Sequence, residues 1–257
     1  METAIQAFIN ELHTVLSDKL LAVYLYGSMT LDDFRPGWSD IDILCLTDGT
    51  VTAEEAARLV DLRQTLAERE DNSYYRCFEG AVVSLDEFKV GTYTRVVYWG
   101  TGKQKVTDQY GFDAFSLFEL MRYGRLLRGK DIRGELALPS YEELKRNVLR
   151  HYETIRKYAV QTGESIYSCG WLLDIARCIY TLRHYDILGK TQAGEWALAN
   201  GLCPIADEMR RTLALRQDPI GQMAKTGTKE WLRSLGPAVQ RFSDILEEEL
   251  RRDNYPF

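Results

Sequence analysis

The chain has no stretch that approaches the roughly 18 uninterrupted apolar residues a membrane-spanning helix requires, so no membrane partner is expected. It also lacks the basic start and apolar run of a secretory leader. It opens Met1-Glu2-Thr3-Ala4 with charged and apolar residues mixed, and a cytoplasmic location is the expectation. Its five cysteines, Cys45, Cys77, Cys169, Cys178 and Cys203, form no Cys-x-x-Cys pair and are odd in number. That pattern reads as reduced thiols. Histidine is scarce, with only His13, His151 and His184, so the clustered Cys and His of a zinc site are missing. Basic residues are in deficit: 32 Lys and Arg against 38 Asp and Glu give a net charge of -6. Duplex binders carry a basic surplus, so nucleic acid is not an expected partner. A mild acidic balance suits a small cationic molecule, because opposite charge concentrates the ligand near a cleft. No feature fixes an oligomeric state.

What is present is an ordinary globular composition, 45% hydrophobic over 257 residues, enough for one large domain or two modest ones. Ile5, Phe8, Ile9, Leu12, Val15 and Leu16 fall at helical spacing over 2–17. Residues 20–26 (LLAVYLY) read as a buried strand ended by Gly27, and 40–46 (DIDILCL) as a second. Thr52 and Glu55 form a capping box for a helix over 52–68. A third strand is expected over 74–85, a fourth over 94–99, a polar loop over 100–108, a helix over 112–123 and a connector over 124–139. Beyond Pro139 strand signals vanish, and helices are expected at about 141–162, 165–184, 191–200, 205–217 and 228–252. The Glu247-Glu248-Glu249 and Arg251-Arg252 run reads as a solvated helix face. The fold class is therefore α+β: an N-terminal domain with a mixed β-sheet and flanking helices over 1–135, then an all-α bundle over 136–257.

One segment carries chemistry. An apolar strand ends at Gly27-Ser28; ten residues later comes Ser39-Asp40-Ile41-Asp42, entering a second apolar strand. Glycine lets a backbone approach a phosphate closely, and serine adds a hydroxyl and a backbone donor. Period-two alternation points Asp40 and Asp42 to one side of the sheet and Ile41 and Ile43 to the other. Two adjacent carboxylates repel, and a divalent cation removes that cost. Magnesium takes oxygen ligands, often one or two carboxylates plus phosphate oxygens, an arrangement suited to phosphoryl transfer. Glu79 sits in the third strand between apolar neighbours, where an unpaired acid is expensive. Beside Asp40 and Asp42 it completes a three-carboxylate cluster, as general base or as third metal ligand.

These residues resemble the DNA polymerase β-type nucleotidyltransferases, whose Gly-Ser, spacer and Asp-x-Asp lie on a mixed sheet. More narrowly, the chain is similar to aminoglycoside adenylyltransferases of the streptomycin/spectinomycin type. The similarity rests on Tyr24 to Leu46, the Glu79 strand, Gly124 to Asp131 (GRLLRGKD) and Lys190 to Ala197 (KTQAGEWA). The resemblance implies AMP transfer from ATP to a hydroxyl of an aminoglycoside or small cationic polyol, antibiotic resistance, two magnesium ions, and an active site between the domains. It places the metals on Asp40 and Asp42, with Glu79 activating the acceptor hydroxyl. It places nucleotide contacts at Gly27, Ser28, Ser39 and Lys190, a flexible ammonium being a good partner for phosphate.

The acceptor-binding candidates are Trp99, with its neighbour Tyr98, and Tyr167, Trp171 and Asp174. Aromatic faces suit cations and sugars, although Trp99 and Trp171 also fit a packed core. Where streptomycin-type enzymes carry an aspartate, a gapless count back from Lys190 lands near Tyr167, which puts streptomycin itself in question. Two rival readings exist. One is a toxin–antitoxin type nucleotidyltransferase with a helical ribonuclease domain using Arg-x4–6-His. That spacing occurs at Arg146 to His151 and at Arg177 to His184. The other is a nucleotidyltransferase that modifies a protein.

Overall fold

The computed structural model describes residues 1–100 and 104–252. The chain divides into two compact units. Among the described residues, a sheet unit takes those within 1–30 and 40–138, and a helical unit those within 31–39 and 139–257.

In the sheet unit, α1 (Glu2–Leu16) leads into β1 (Leu20–Tyr26) and β2 (Ile41–Thr47). Then follow α2 (Ala53–Glu68), β3 (Phe78–Ser84), α3 (Leu85–Val90), β4 (Val96–Trp99), β5 (Gln104–Thr107), α4 (Ala114–Tyr123) and β6 (Arg125–Gly129). The sheet order is β5-β4-β3-β2-β1-β6, with β2 and β3 parallel and the other neighbours antiparallel. It is the mixed sheet expected.

The two sheet faces follow from period-two alternation. On one, Phe8 of α1 stacks on Phe78 at 4.3 Å and meets Trp99 edge-on at 5.3 Å. On the other, Tyr24, Tyr26, Leu44, Leu46, Ala81 and Val83 pack with Leu120 and Ile132. The Thr52–Glu55 capping box forms as the sequence predicts. The segment 124–139 is not only a connector, because Arg125–Gly129 pairs with β1. Beyond it, the Tyr24 hydroxyl accepts from Ile132 N–H (2.7 Å) and donates to Asp131 (2.9 Å), fixing the unit's end to its central sheet. The expected loop over 100–108 lies partly outside the described residues, and its remainder contains β5. β5 and β6 are the two sheet edges, short and bearing Lys or Arg as edge strands often do. That is why apolar patterning missed them.

The helical unit contains α5 (Tyr141–Tyr158), α6 (Tyr167–His184), α7 (Lys190–Ala199), α8 (Ala206–Gln217), α9 (Pro219–Met223), α10 (Thr228–Arg233) and α11 (Gly236–Leu250). α6 buries Leu172, Leu173, Ile175, Ala176, Ile179 and Leu182, more than one face, and is the helix the others surround. The helix expected over 228–252 is broken at Gly236-Pro237. Proline has no N–H to donate inside a helix, so it starts α11 instead. The final Glu and Arg run is not wholly solvated: Glu249 is 1% exposed and pairs with Arg183 and Arg252.

The spacer between β1 and β2 belongs to this helical unit. Its anchor is Asp33, 1% exposed, whose carboxylate accepts from Arg216 of α8 (2.7 Å) and from Thr191 N–H of α7 (3.0 Å). Gln192 donates to the Leu31 carbonyl (3.1 Å), and the Arg216 guanidinium lies 5.2 Å from the Trp38 ring centre. Burial alone would raise the Asp33 carboxyl, yet Arg216 and Thr191 hold it below the ordinary aspartate value.

Removing one partner of a buried pair strands the other charge. Arg216→Met is expected to cost about 3–5 kcal/mol in urea unfolding, with much of the loss recovered in Asp33→Leu/Arg216→Met. Because the folded carboxyl titrates below its unfolded counterpart, the pair's contribution is fully present above about pH 4. It fades as pH falls and Asp33 takes up a proton. An Arg216→Met protein as stable as wild type at neutral pH would remove the anchor.

Candidate active site

The site is built where β1 stops. Gly27 has φ +68° and starts a 3-10 turn, Gly27–Met29, in which Thr30 N–H donates to the Gly27 carbonyl (3.0 Å). A Cβ at Gly27 would run into the Asp42 carboxylate. The backbone angle favours glycine, and its bare α-carbon leaves the Asp42 carboxylate where it stands. Ser28 Oγ lies 3.5 Å from the Asp40 carbonyl, a long contact across the motif.

Asp42 stands between two strands. It pairs with Tyr26 across the antiparallel β1–β2 ladder and with Glu79 across the parallel β2–β3 ladder. Neighbours in register project to the same face, so Asp42 and Glu79 lie side by side. Asp40 precedes β2 with the same parity, while Ile41 and Ile43 are fully buried opposite. Gly80, next to Glu79, has φ +148°, and a Cβ there would strike the Ile43 carbonyl. That glycine lets β3 lie close enough for the two acids to be neighbours.

The acids have partners within the sheet unit. The Tyr98 hydroxyl donates to Glu79 Oε1 (2.6 Å). Burial pushes the Tyr98 phenol up, and the bond to Glu79 and the charges of Glu79, Asp40 and Asp42 push it further, so it remains a donor. Tyr26 is raised well above the usual phenol value by burial first, then by Tyr110 and Asp42. Arg63 of α2, 3% exposed, donates to the carbonyls of Phe78 (3.2 Å) and Arg76 (2.9 Å), flanking Glu79's strand. Burial lowers its guanidinium, while Cys77, Asp40 and Glu79 act in the opposite direction.

All-oxygen donors of this kind suit magnesium rather than a softer ion. Asp40 and Asp42, beside a glycine that leaves room for the Asp42 carboxylate, are the residues that fit such an ion. Among the described residues, no group of three or more His, Cys, Asp or Glu side chains forms a metal-holding set. Glu79 instead directs one oxygen to Tyr98.

The remaining candidates fall in different places. Trp99 does not line a cleft: it is 0% exposed and packs on Phe8 on the opposite sheet face. Alternation sends its neighbour Tyr98 to the acid face, where its hydroxyl meets Glu79. The Ser39 hydroxyl accepts from Arg35 N–H (3.0 Å) and closes a turn within the spacer.

In the helical unit, Tyr167 (67% exposed), Trp171 and Asp174 are spaced i, i+4, i+7 along α6, one stripe on its surface, and the latter two are half-buried. Lys190, the first residue of α7, places Nζ 3.0 Å from Asp174 Oδ1. Burial works to raise the Asp174 carboxyl, but Lys190, Arg177 and His151 hold it below the ordinary value. Arg177 donates to the Leu188 carbonyl (3.1 Å), and His184 stacks on Tyr180 at 4.4 Å.

Sequence reasoning missed Arg63, Asp33 and Arg216. Arg63 was within reach, since it falls in the buried stripe Ala56, Leu59, Arg63, Leu66 of a capped helix. A cation in such a stripe signals a polar target behind it. The Asp33–Arg216 pair joins residues 183 apart in sequence, and no local pattern marks it.

Residues 8–93 match the nucleotidyltransferase domain family, a span running from within α1 through α3 and including β2 and β3. Spectinomycin adenyltransferase AAD(9) from Enterococcus faecialis, solved with ATP and spectinomycin, shares the fold: TM-score 0.71, 16% identity, 96% of this chain and 99% of that one. A mutant of the toxin–antitoxin MntA-HpeT overlaps 51% of this chain and 77% of that one, with 18% identity and a TM-score of 0.29. No curated protein sequence matches. With Gly27, Asp40, Asp42 and Glu79 all inside the matched span, the chain carries an N-terminal nucleotidyltransferase domain and is an enzyme of that chemical class.

Proposed function

We propose that the protein transfers AMP from ATP to a hydroxyl of a small cationic acceptor of the aminoglycoside class, conferring resistance to it. The observation that carries this reading is the in-register placement of Asp42 and Glu79 beside Gly27. It supports two distinct roles on one sheet face: an ion-holding pair, Asp40 and Asp42, and a neighbouring base, Glu79. Bound magnesium would neutralise charge on the triphosphate and orient it for in-line displacement. Glu79 removes the proton from the acceptor hydroxyl. The freed oxygen forms a bond to the α-phosphorus, the bond from that phosphorus to the bridging oxygen breaks, and pyrophosphate leaves with the electron pair. Gly27 and the backbone donors of its turn receive phosphate oxygens, with Ser28 and Ser39 at the two ends of the spacer. Lys190 is the helical unit's phosphate contact in this reading. Asp174, Trp171 and Tyr167 meet the cationic acceptor, the acid by charge and the rings by their faces.

The ATP and spectinomycin of the similar enzyme supply the first acceptor to test. Purified protein with ATP and magnesium is expected to release pyrophosphate only when spectinomycin or another member of an aminoglycoside panel is added. EDTA should stop the reaction and excess magnesium restore it. Asp40→Asn and Asp42→Asn should each abolish release with the fold retained by circular dichroism; full activity in either variant contradicts the ion-holding role. Glu79→Gln should bind ATP as wild type does and lose about a hundredfold to ten-thousandfold in kcat. Unchanged transfer would take Glu79 out of the reaction.

A further inference from the structure

Glu79 has three rotatable side-chain bonds, and a base is effective only when its oxygen is held where the proton will leave. β3 supplies its backbone but not its rotamer. From the geometry we propose that Tyr98 is the positioning residue of the site: its hydroxyl fixes Glu79 Oε1 and turns the second carboxylate oxygen toward the acceptor hydroxyl. This rests on the reading of Glu79 as base.

Three observations support the assignment. First, Tyr98 pairs with Ala81, two residues along β3 from Glu79, which makes it the diagonal neighbour of Glu79 on the same face. Second, the hydrogen bond is short, 2.6 Å, as expected for a hydroxyl donating to a charged acceptor. Third, the tyrosine is itself held: Tyr110 lies 6.3 Å away at a tilt, Phe112 packs 6.2 Å behind Tyr110, and Lys105 Nζ sits 5.7 Å from the Tyr98 ring centre. A tyrosine clamped by an aromatic cluster and a cation is a fixed donor, and a fixed donor orders a flexible acceptor.

The test is Tyr98→Phe, which keeps the ring and removes one oxygen. With an acceptor that supports pyrophosphate release, kcat is expected to fall about tenfold to a hundredfold, with KM for ATP and the thermal midpoint unchanged. In the Glu79→Gln background the same substitution should cost nothing further, because Tyr98 acts only through that carboxylate. An unchanged kcat in Tyr98→Phe, or an equal loss in both backgrounds, overturns the proposal. A crystal structure of Tyr98→Phe gives a readout that needs no acceptor: the Glu79 side chain should leave its wild-type rotamer. If it keeps that rotamer, Tyr98 does not position it. If wild type transfers to nothing on the panel, the functional reading fails on its own, and the rotamer comparison still decides what Tyr98 does.

Discussion

The site is governed by repulsion between like charges. Asp42 and Glu79 occupy paired positions on adjacent parallel strands, with Asp40 just ahead in the chain. Like charges on paired positions of adjacent strands repel, and that repulsion works against a net stability of only a few kcal/mol. The protein reduces the cost without removing the acids. Tyr98 gives Glu79 a hydrogen bond, and Arg63 places a buried cation behind the strand that carries it. Gly27 and Gly80 then make the crowding sterically possible, one leaving room for the Asp42 carboxylate and the other letting β3 approach β2. Each local choice that looks unfavourable alone serves the concentration of negative charge at one strand end.

That concentration is tied to chain connectivity. The residues between Gly-Ser and Asp-x-Asp could have been a short turn. Instead residues 31–39 cluster with the helices. They are fastened there by a buried Asp33–Arg216 pair and by hydrogen bonds from the first turn of α7, whose first residue is Lys190. A buried ion pair is weak evidence for stability, because apolar residues of similar volume often do as well. Its value here is specificity of placement. The segment that follows the Gly27-Ser28 turn and leads to Asp40 and Asp42 has a buried anchor in its middle, Asp33.

The parts of this arrangement legible in the sequence are those set by local periodicity. β1 and β2 stand out as apolar runs, α2 by its capping box, and the shared face of Asp40 and Asp42 by alternation. Glu79 was found as an acid where apolar residues were expected, and register with Asp42 explains its place. What was not legible depends on the third dimension. Trp99 and Tyr98 are adjacent and chemically alike, and only the sheet's two faces separate them, sending one into the Phe8 cluster and the other to Glu79. β5 and β6 are edge strands, where charge keeps other chains from pairing and masks the apolar signal. Asp33 and Arg216 sit far apart in sequence and are joined only by the fold.

The central claim, that Asp42 sits beside another acid at a cost a divalent cation held by Asp40 and Asp42 relieves, can be measured through stability. Thermal unfolding of wild type and Asp42→Asn should be compared in EDTA and again with magnesium and ATP. In EDTA the asparagine protein should melt above wild type, because the repulsion is gone. With magnesium and ATP, wild type should rise and overtake a variant that no longer responds. If Asp42→Asn melts below wild type in EDTA, or both proteins respond to the ion alike, Asp42 neither carries that cost nor holds the ion.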